Sequence, residues 1–218
     1  VECPGSNRSA NKYEEFLIMI KNVVFDLGNV LISFRPSEYF DRKQYPVNLK
    51  SVILNDIFRS REWLMLDKGD IILSDAIESI SHKSSLKKEE IARIFNLRTD
   101  LMFPLGRNIK LLPELKKQGF KLYFLSNFPL DIFDEVRNSY SFFNYFDGGL
   151  ISAEARSSKP EPEIYRLFFE RFNLMPGECL YVDDIEANVK AAESFGVKGL
   201  VADGSDRISE SVMSAIGT

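Results

Sequence analysis

Three short apolar runs, each halting at acidic or hydrogen-bonding side chains, constrain this sequence more than any other feature. Val23-Val24-Phe25 runs into Asp26, Gly28 and Asn29; Phe120 to Leu125 runs into Ser126-Asn127; Cys179 to Val182 runs into Asp183-Asp184. A short continuous apolar run suits a strand buried on both faces of a sheet. Between the runs lie segments with helical spacing. Ile109, Leu111, Leu112 and Leu115 fall on a helix that Gly119 should close, and Pro129 to Asn138 makes another. Pro162 suits a first helical turn, with Ile164, Leu167 and Phe168 on one face, and Ala187 to Phe195 reads as a helix closed by Gly196. Leu150-Ile151 and Gly199 to Ala202 add two strands. Strands alternating with helices of ~10–15 residues imply an α/β fold, a parallel sheet covered on both faces.

Residues 36–104 break that alternation, with helical spacing and little strand signal. Ala76, Ile77 and Ile80 follow Ser74, a candidate N-cap, and Ile91, Ile94 and Phe95 follow Ser85. Lys68-Gly69-Asp70 reads as a turn with Gly69 left-handed. This block is expected to be a helical insert. At the other extreme, Val1 to Lys12 is polar and aperiodic, and the apolar stretch Phe16 to Ile20 follows Glu14 and Glu15. A secretory signal needs a basic start and ~7–15 apolar residues, so none is expected. Residues 1–18 are expected to be a weakly ordered N-terminal extension.

Composition narrows the class. At 218 residues the chain has room for one large domain or a core with an insert. A formal charge of -4 and a pI of about 5.3 speak against a dedicated nucleic-acid binder. No stretch reaches the ~18–20 apolar residues of a membrane span. Cys3 and Cys179 make no disulfide framework and read as free thiols of a reducing, cytoplasmic compartment, Cys179 as packing. His82, the one histidine, stands beside Lys83 in the helical block and reads as a surface residue. Histidine-rich zinc sites and a histidine-centred triad are therefore disfavoured.

In an open α/β sheet, ligands bind beyond the carboxyl ends of the strands. Here those ends carry Asp26, Ser126-Asn127 and Asp183-Asp184, and Lys159 lies in a loop just before a helix. The sheet can thus gather three carboxylates, a hydroxyl and an ammonium. Clustered carboxylates repel one another unless a cation intervenes. An all-oxygen donor set suits Mg²⁺, which typically keeps several waters and takes a phosphate oxygen. The constellation is one for phosphoryl transfer, in which catalysis is mostly positioning and electrostatics. Each residue also has a plainer reading. Asp26 and Ser126-Asn127 suit turns, Asp183-Asp184 a helix N-terminus, and Lys159 a solvated position before Pro160. Trp63, Met65 and Leu66 read as core before they read as pocket.

These residues also carry a resemblance. VVFDLGNVL, LYFLSN, SKPEPEIY and YVDDIEAN resemble, in order, the four motifs of the haloacid dehalogenase superfamily of hydrolases. The likeness covers nearly everything after residue 20. It is nearer to the branch containing bacterial α-D-glucose-1-phosphate phosphatase and the N-terminal phosphatase domain of soluble epoxide hydrolase. The resemblance implies a doubly wound, Rossmann-like parallel sheet with an inserted α-helical cap. On that basis residues 19–36 and 104–218 form the catalytic core and 37–103 the cap. It implies that Asp26 is the nucleophile, forming an aspartyl-phosphate and ligating Mg²⁺. The Gly28 carbonyl and Asp184 would be metal ligands, with Asp183 bound directly or through water. Ser126 and the backbone amide of Asn127 would bind the phosphoryl group, Lys159 would offset charge, and Asn188 would orient the acidic pair.

Two departures stand out. Most phosphatases of the family carry a second Asp, the general acid/base, where Gly28 stands here; the glucose-1-phosphate branch shares the Gly. General acid–base help is typically worth ~10²–10⁴-fold. Arg156 stands where the family often has Gly, and Ser158 where a larger or basic residue is usual. The implied activity is an Mg²⁺-dependent phosphatase acting on a small phosphate ester, most plausibly a sugar phosphate, as a monomer or homodimer. No nucleic-acid or membrane partner is expected. The competing readings are a metal-independent 2-haloacid dehalogenase, against which Asp183-Asp184 argues, and a catalytically silent binding module, which Gly28 favours. A phosphomutase is disfavoured by the missing acid.

Overall fold

The computed structural model describes residues 19–203 and 207–217; the expected extension at 1–18, with Cys3, lies outside them. In chain order the elements are β1 (Asn22–Phe25), β2 (Ile32–Phe34), α1 (Pro36–Arg42), α2 (Val47–Ile53), α3 (Arg61–Lys68), α4 (Leu73–Ser81), α5 (Lys88–Asn96), β3 (Met102–Pro104), α6 (Gly106–Lys117), β4 (Lys121–Ser126), α7 (Leu130–Ser139), β5 (Gly148–Ile151), α8 (Ser152–Ala155), α9 (Pro162–Phe172), β6 (Cys179–Asp183), α10 (Glu186–Glu193), β7 (Lys198–Val201) and α11 (Ile208–Ile216).

Five strands form a parallel sheet in the order β5-β4-β1-β6-β7. The chain builds outward from β1 on one side, then crosses to the other, so the carboxyl end of β1 is a switch point where a crevice opens. Side chains alternate across the sheet with the strand period of two. Val23 and Phe25, Leu122 and Phe124, and Leu180 and Val182 face one core with α6, α7 and α11. Val24, Tyr123 and Leu125, and Cys179 and Tyr181 face the other, with α9 and α10. Both layers are needed because continuous apolar strands have no face to give to water.

The helical block has a core of its own, built on Phe40, Ile57, Trp63, Ile80, Ile91 and Phe95. Trp63 stacks against Phe95 and against Phe34 of β2, each at 5.8 Å between ring centroids. Such pairs contribute ~0.5–1.5 kcal/mol beyond burial. Gly69 is left-handed (φ 77°) and ends α3, as the sequence predicts. Two local expectations need correction. Ser74 does not cap α4: Ile72 takes the extended conformation before the helix, and the Ser74 hydroxyl turns to Asp75. The stretch expected to hold little strand also ends in one, β3, which pairs antiparallel with β2 just before the stretch begins. Three-residue strands are too short to show a period.

The C-terminal end of α3 is fastened to the core. The Ser152 hydroxyl donates to the Asp67 carbonyl and accepts from the Phe128 N–H at 2.9 Å. The Arg156 guanidinium donates to the Gly69 carbonyl. Lys68 pairs with Glu161 at 2.8 Å, and Arg98 with Asp131 at 2.6 Å. Arg156 itself is left-handed (φ 53°), a conformation that explains a glycine preference at this position. No helix among the described residues is long and apolar enough to cross a membrane.

Candidate active site

Asp26 follows β1 directly, where its N–H still bonds to the Val182 carbonyl at 2.8 Å. Its Oδ1 accepts from the Leu27 N–H at 2.7 Å and from Lys159 Nζ at 2.8 Å. The Ser126 hydroxyl, at the end of β4, is also hydrogen-bonded to the carboxylate. Burial pushes the Asp26 carboxyl up; Lys159 opposes this, Asp183 adds to it, and the group stands at about 6. Oδ2 lies toward Gly28, where an added Cβ would stand 3.8 Å away.

Lys159 is buried between two carboxylates, bonding Asp26 at 2.8 Å and Asp183 Oδ2 at 2.6 Å. Burial works against the ammonium, but Asp26 and Asp183 outweigh it and raise its pKa. The side chain of Asn127 holds the lysine's backbone from both sides. Its Nδ2 donates to the Lys159 carbonyl at 3.0 Å, and its Oδ1 accepts the Lys159 N–H at 2.8 Å. Sequence reasoning missed this second use of Asn127; a side-chain amide with one donor and one acceptor at a strand end is the signal for it.

Asp183 closes β6 and is fully buried. Its Oδ2 accepts from Lys159, Tyr181 Oη and Asn188, and its Oδ1 from the Ile185 N–H and Asn188. An ionised carboxylate offers about four lone-pair sites, and protein donors occupy most of them. Asn188 is itself held by Tyr165, whose hydroxyl donates to its carbonyl at 2.8 Å. Asp184 is half-buried. Burial and then Asp183 raise its pKa, while a hydrogen bond from Asn29 opposes them. Asn29 is left-handed (φ 51°) and also accepts from the Phe34 N–H at 3.0 Å. The sequence places Asn29 at the end of the first apolar run without giving it a role, although Asn tolerates this backbone region better than most residues.

Asp26, Asp183 and Asp184 offer carboxylate oxygens within 4.8 Å of one another. Three carboxylates answered by one buried lysine leave negative charge to spare, and the donors are oxygens only. That fits a hard divalent cation. All the sequence-predicted site residues therefore sit at one end of the sheet. Beside them, a cavity of about 100 Å³ is lined by Gly28, Ser126 and Asn127 on the core side and by Trp63 and Asp67 on the helical side. Trp63 is thus both core and wall. His82 is exposed (73%) beside Glu78, away from this cavity.

The chain matches the model of haloacid dehalogenase-like hydrolases over residues 20–196. It is 32% identical to the sesquiterpene phosphatase astK of Aspergillus oryzae, over 83% of this chain and 88% of that one. It is 26% identical to the phosphorylated carbohydrates phosphatase of Thermotoga maritima, over 81% and 82% respectively. A family enzyme from Bacteroides thetaiotaomicron, solved with magnesium and inorganic phosphate, superposes with a TM-score of 0.64 at 26% identity, covering 84% of this chain and 93% of that one. Fold, motif order and family model agree: this chain is a hydrolase of the haloacid dehalogenase-like family.

Proposed function

We propose that the protein is a phosphomonoesterase that works through Asp26. The observation that carries this reading is the cluster of Asp26, Lys159, Asp183 and Asp184 at the sheet's switch point. Asp26 attacks phosphorus, the ester P–O bond breaks, and the alcohol departs. Water then attacks the phosphorus of the aspartyl-phosphate, the bond to Asp26 breaks, and phosphate is released. Lys159 offsets the charge on Asp26 and on the phosphoryl oxygens, and the Ser126 hydroxyl and Asn127 amide donate to them. Asp26, the Gly28 carbonyl and Asp184 would hold Mg²⁺, which would supply further charge neutralisation. With most of its lone pairs taken, Asp183 would meet the cation through water, the second of the two roles the resemblance allows. It also anchors Lys159.

For the substrate, two chemistries compete. The cavity wall is largely apolar, with Phe34, Trp63, Met102 and Phe128 around the polar groups. A second cavity of about 210 Å³, which shares Pro129 with the first, is lined by Leu66, Ile71, Ile72 and Leu130. Ile72 and Leu130 are both exposed. This lining supports an ester whose organic group is apolar, consistent with the terpene phosphatase among the relatives. The sugar phosphate expected from the sequence is the second reading, supported by the carbohydrate-phosphate relative. A panel of α- and β-glucose-1-phosphate beside allylic terpenyl phosphates, with Mg²⁺ or EDTA, tests both levels. We expect Mg²⁺-dependent phosphate release, fastest on the terpenyl esters. A sugar phosphate turned over faster would reverse the substrate order. Metal-independent chloride release from 2-haloacids, or no turnover of any ester, would overturn the phosphatase.

A further inference from the structure

We infer that Asp67, at the end of α3, is the general acid and base of the hydrolysis, serving from the helical block in place of the acid absent at Gly28. The inference rests on the phosphatase reading and asks where the leaving oxygen finds its proton. An alcohol cannot leave readily as an alkoxide, and general acid help is typically worth ~10²–10⁴-fold. Gly28 has none to give. A Cβ there would meet only Asp26 Oδ2, at 3.8 Å, so that side of the nucleophile is open. Of the ten residues lining the cavity shared with Gly28, Ser126 and Asn127, Asp67 alone carries an acidic or basic side chain.

The position is a built one. The Asp67 carbonyl accepts the Ser152 hydroxyl, the same hydroxyl that takes the Phe128 N–H next to the phosphoryl-binding strand end. Its carboxyl is hydrogen-bonded to the Trp63 side chain, one helical turn earlier and in the same cavity wall. The charged groups that act on it are Arg98 and Asp131, already paired with each other at 2.6 Å. Burial raises its pKa, the Trp63 hydrogen bond and Arg98 oppose, Asp131 adds, and the group stands at about 7. It can therefore hold a proton and return it near neutral pH.

The proton balance closes over one turnover. As Asp26 bonds to phosphorus and the ester P–O bond breaks, the Asp67 carboxyl gives its proton to the leaving oxygen, releasing a neutral alcohol. As water bonds to the phosphorus of the aspartyl-phosphate, the Asp67 carboxylate takes a proton from that water. The bond to Asp26 breaks, and Asp67 is again protonated.

The test is the dependence of kcat/KM on the leaving group, measured for wild type, Asp67→Asn and Asp26→Asn with Mg²⁺. The esters run from 2,4-dinitrophenyl phosphate, whose phenolate needs no proton, through phenyl phosphate to an unactivated alkyl phosphate. For Asp67→Asn we expect a loss of ~10²–10⁴-fold on the alkyl ester and less than about tenfold on the dinitrophenyl ester. A residue that merely shapes the fold would lower all three alike, and that result overturns the inference. Should the variant fail to fold, wild type decides alone: shallow dependence on leaving-group basicity supports protonation, and steep dependence overturns it. Failure of the underlying reading looks different, because Asp26→Asn would then retain turnover on every ester.

Discussion

Replacing Lys159 with Met tests the electrostatics that hold the site together. The methionine keeps most of the lysine's apolar stem and removes only the ammonium. That ammonium is buried against two carboxylates, 2.8 Å from Asp26 and 2.6 Å from Asp183. Breaking a buried pair by removing one partner costs ~3–5 kcal/mol, because the remaining charge is left without compensation. For a chain of 218 residues, that is a fall in Tm of roughly 6–20 °C. The sign of the pH dependence follows. Lys159 holds the Asp26 carboxyl down, yet burial already lifts it to about 6; without the lysine it rises further. Below that range the Asp26 carboxyl takes up a proton, and of the two partners only Asp183, which keeps its bonds from Tyr181, Ile185 and Asn188, is left without the ammonium. The deficit is therefore largest near pH 8 and shrinks toward pH 5, and saturating Mg²⁺ shrinks it at either pH. Urea unfolding at both pH values, with and without Mg²⁺, reads this directly. A loss below about 1 kcal/mol at pH 8, or one equal at pH 5 and pH 8, would refute the reasoning.

Further expectations concern the other charged and strained positions. In metal-free protein, Asp67 has a folded pKa of about 7 against an unfolded value of 3.8. A raised carboxyl contributes stability that is full below the unfolded value and is lost as pH rises through the folded one, here up to ~4 kcal/mol. Denaturation from pH 4 to 8 should show this decline, and Asp67→Asn should flatten it; an unchanged slope would contradict the burial of this carboxyl. Gly69→Ala must place a Cβ 2.9 Å from the Ala153 carbonyl oxygen at φ +77°. The left-handed backbone alone costs ~1–2 kcal/mol, so thermal unfolding of G69A should show a larger total, and a neutral result would mean that α3 and α8 are not so close. Mg²⁺ at a hundredfold excess over its Kd should stabilise wild type by ~2.7 kcal/mol. Asp184→Asn should lose most of that gain in a melting titration, and an undiminished gain would remove Asp184 from the cation's ligands.

Much of this was legible in the sequence because the buried strands advertise themselves. Val23 to Phe25, Leu122 to Leu125 and Leu180 to Val182 are apolar on both faces and can only be central strands, and their ends carry the chemistry. The convergence of Asp26, Ser126 and Asp183 at one end of a parallel sheet follows from that placement, whereas the strand order is read from the structure alone. What escaped notice depends on tertiary contact. β2 and β3 exist because two segments far apart in sequence meet, not because either has strand character. Asn29 and Asn127 look like ordinary loop residues until the partners of their amides are known. Asp67 sits among helix formers and is given its environment by Trp63, one turn earlier, and by Ser152 and Arg98, which its own neighbours do not reveal. The left-handed Arg156 departs from the usual glycine, and its contact with Gly69 across the two parts of the fold is the compensation visible in the structure.

The nucleophile is the centre of the account, and trapping it is the most direct measurement. Wild-type protein mixed with Mg²⁺ and a turned-over phosphate ester, quenched in acid within one turnover and digested, should yield one phosphorylated peptide. The phosphoryl group should lie on Asp26, survive acid and be removed by hydroxylamine. Product formed in the same interval with Asp26 unmodified, or with the phosphoryl group on another residue, would contradict it.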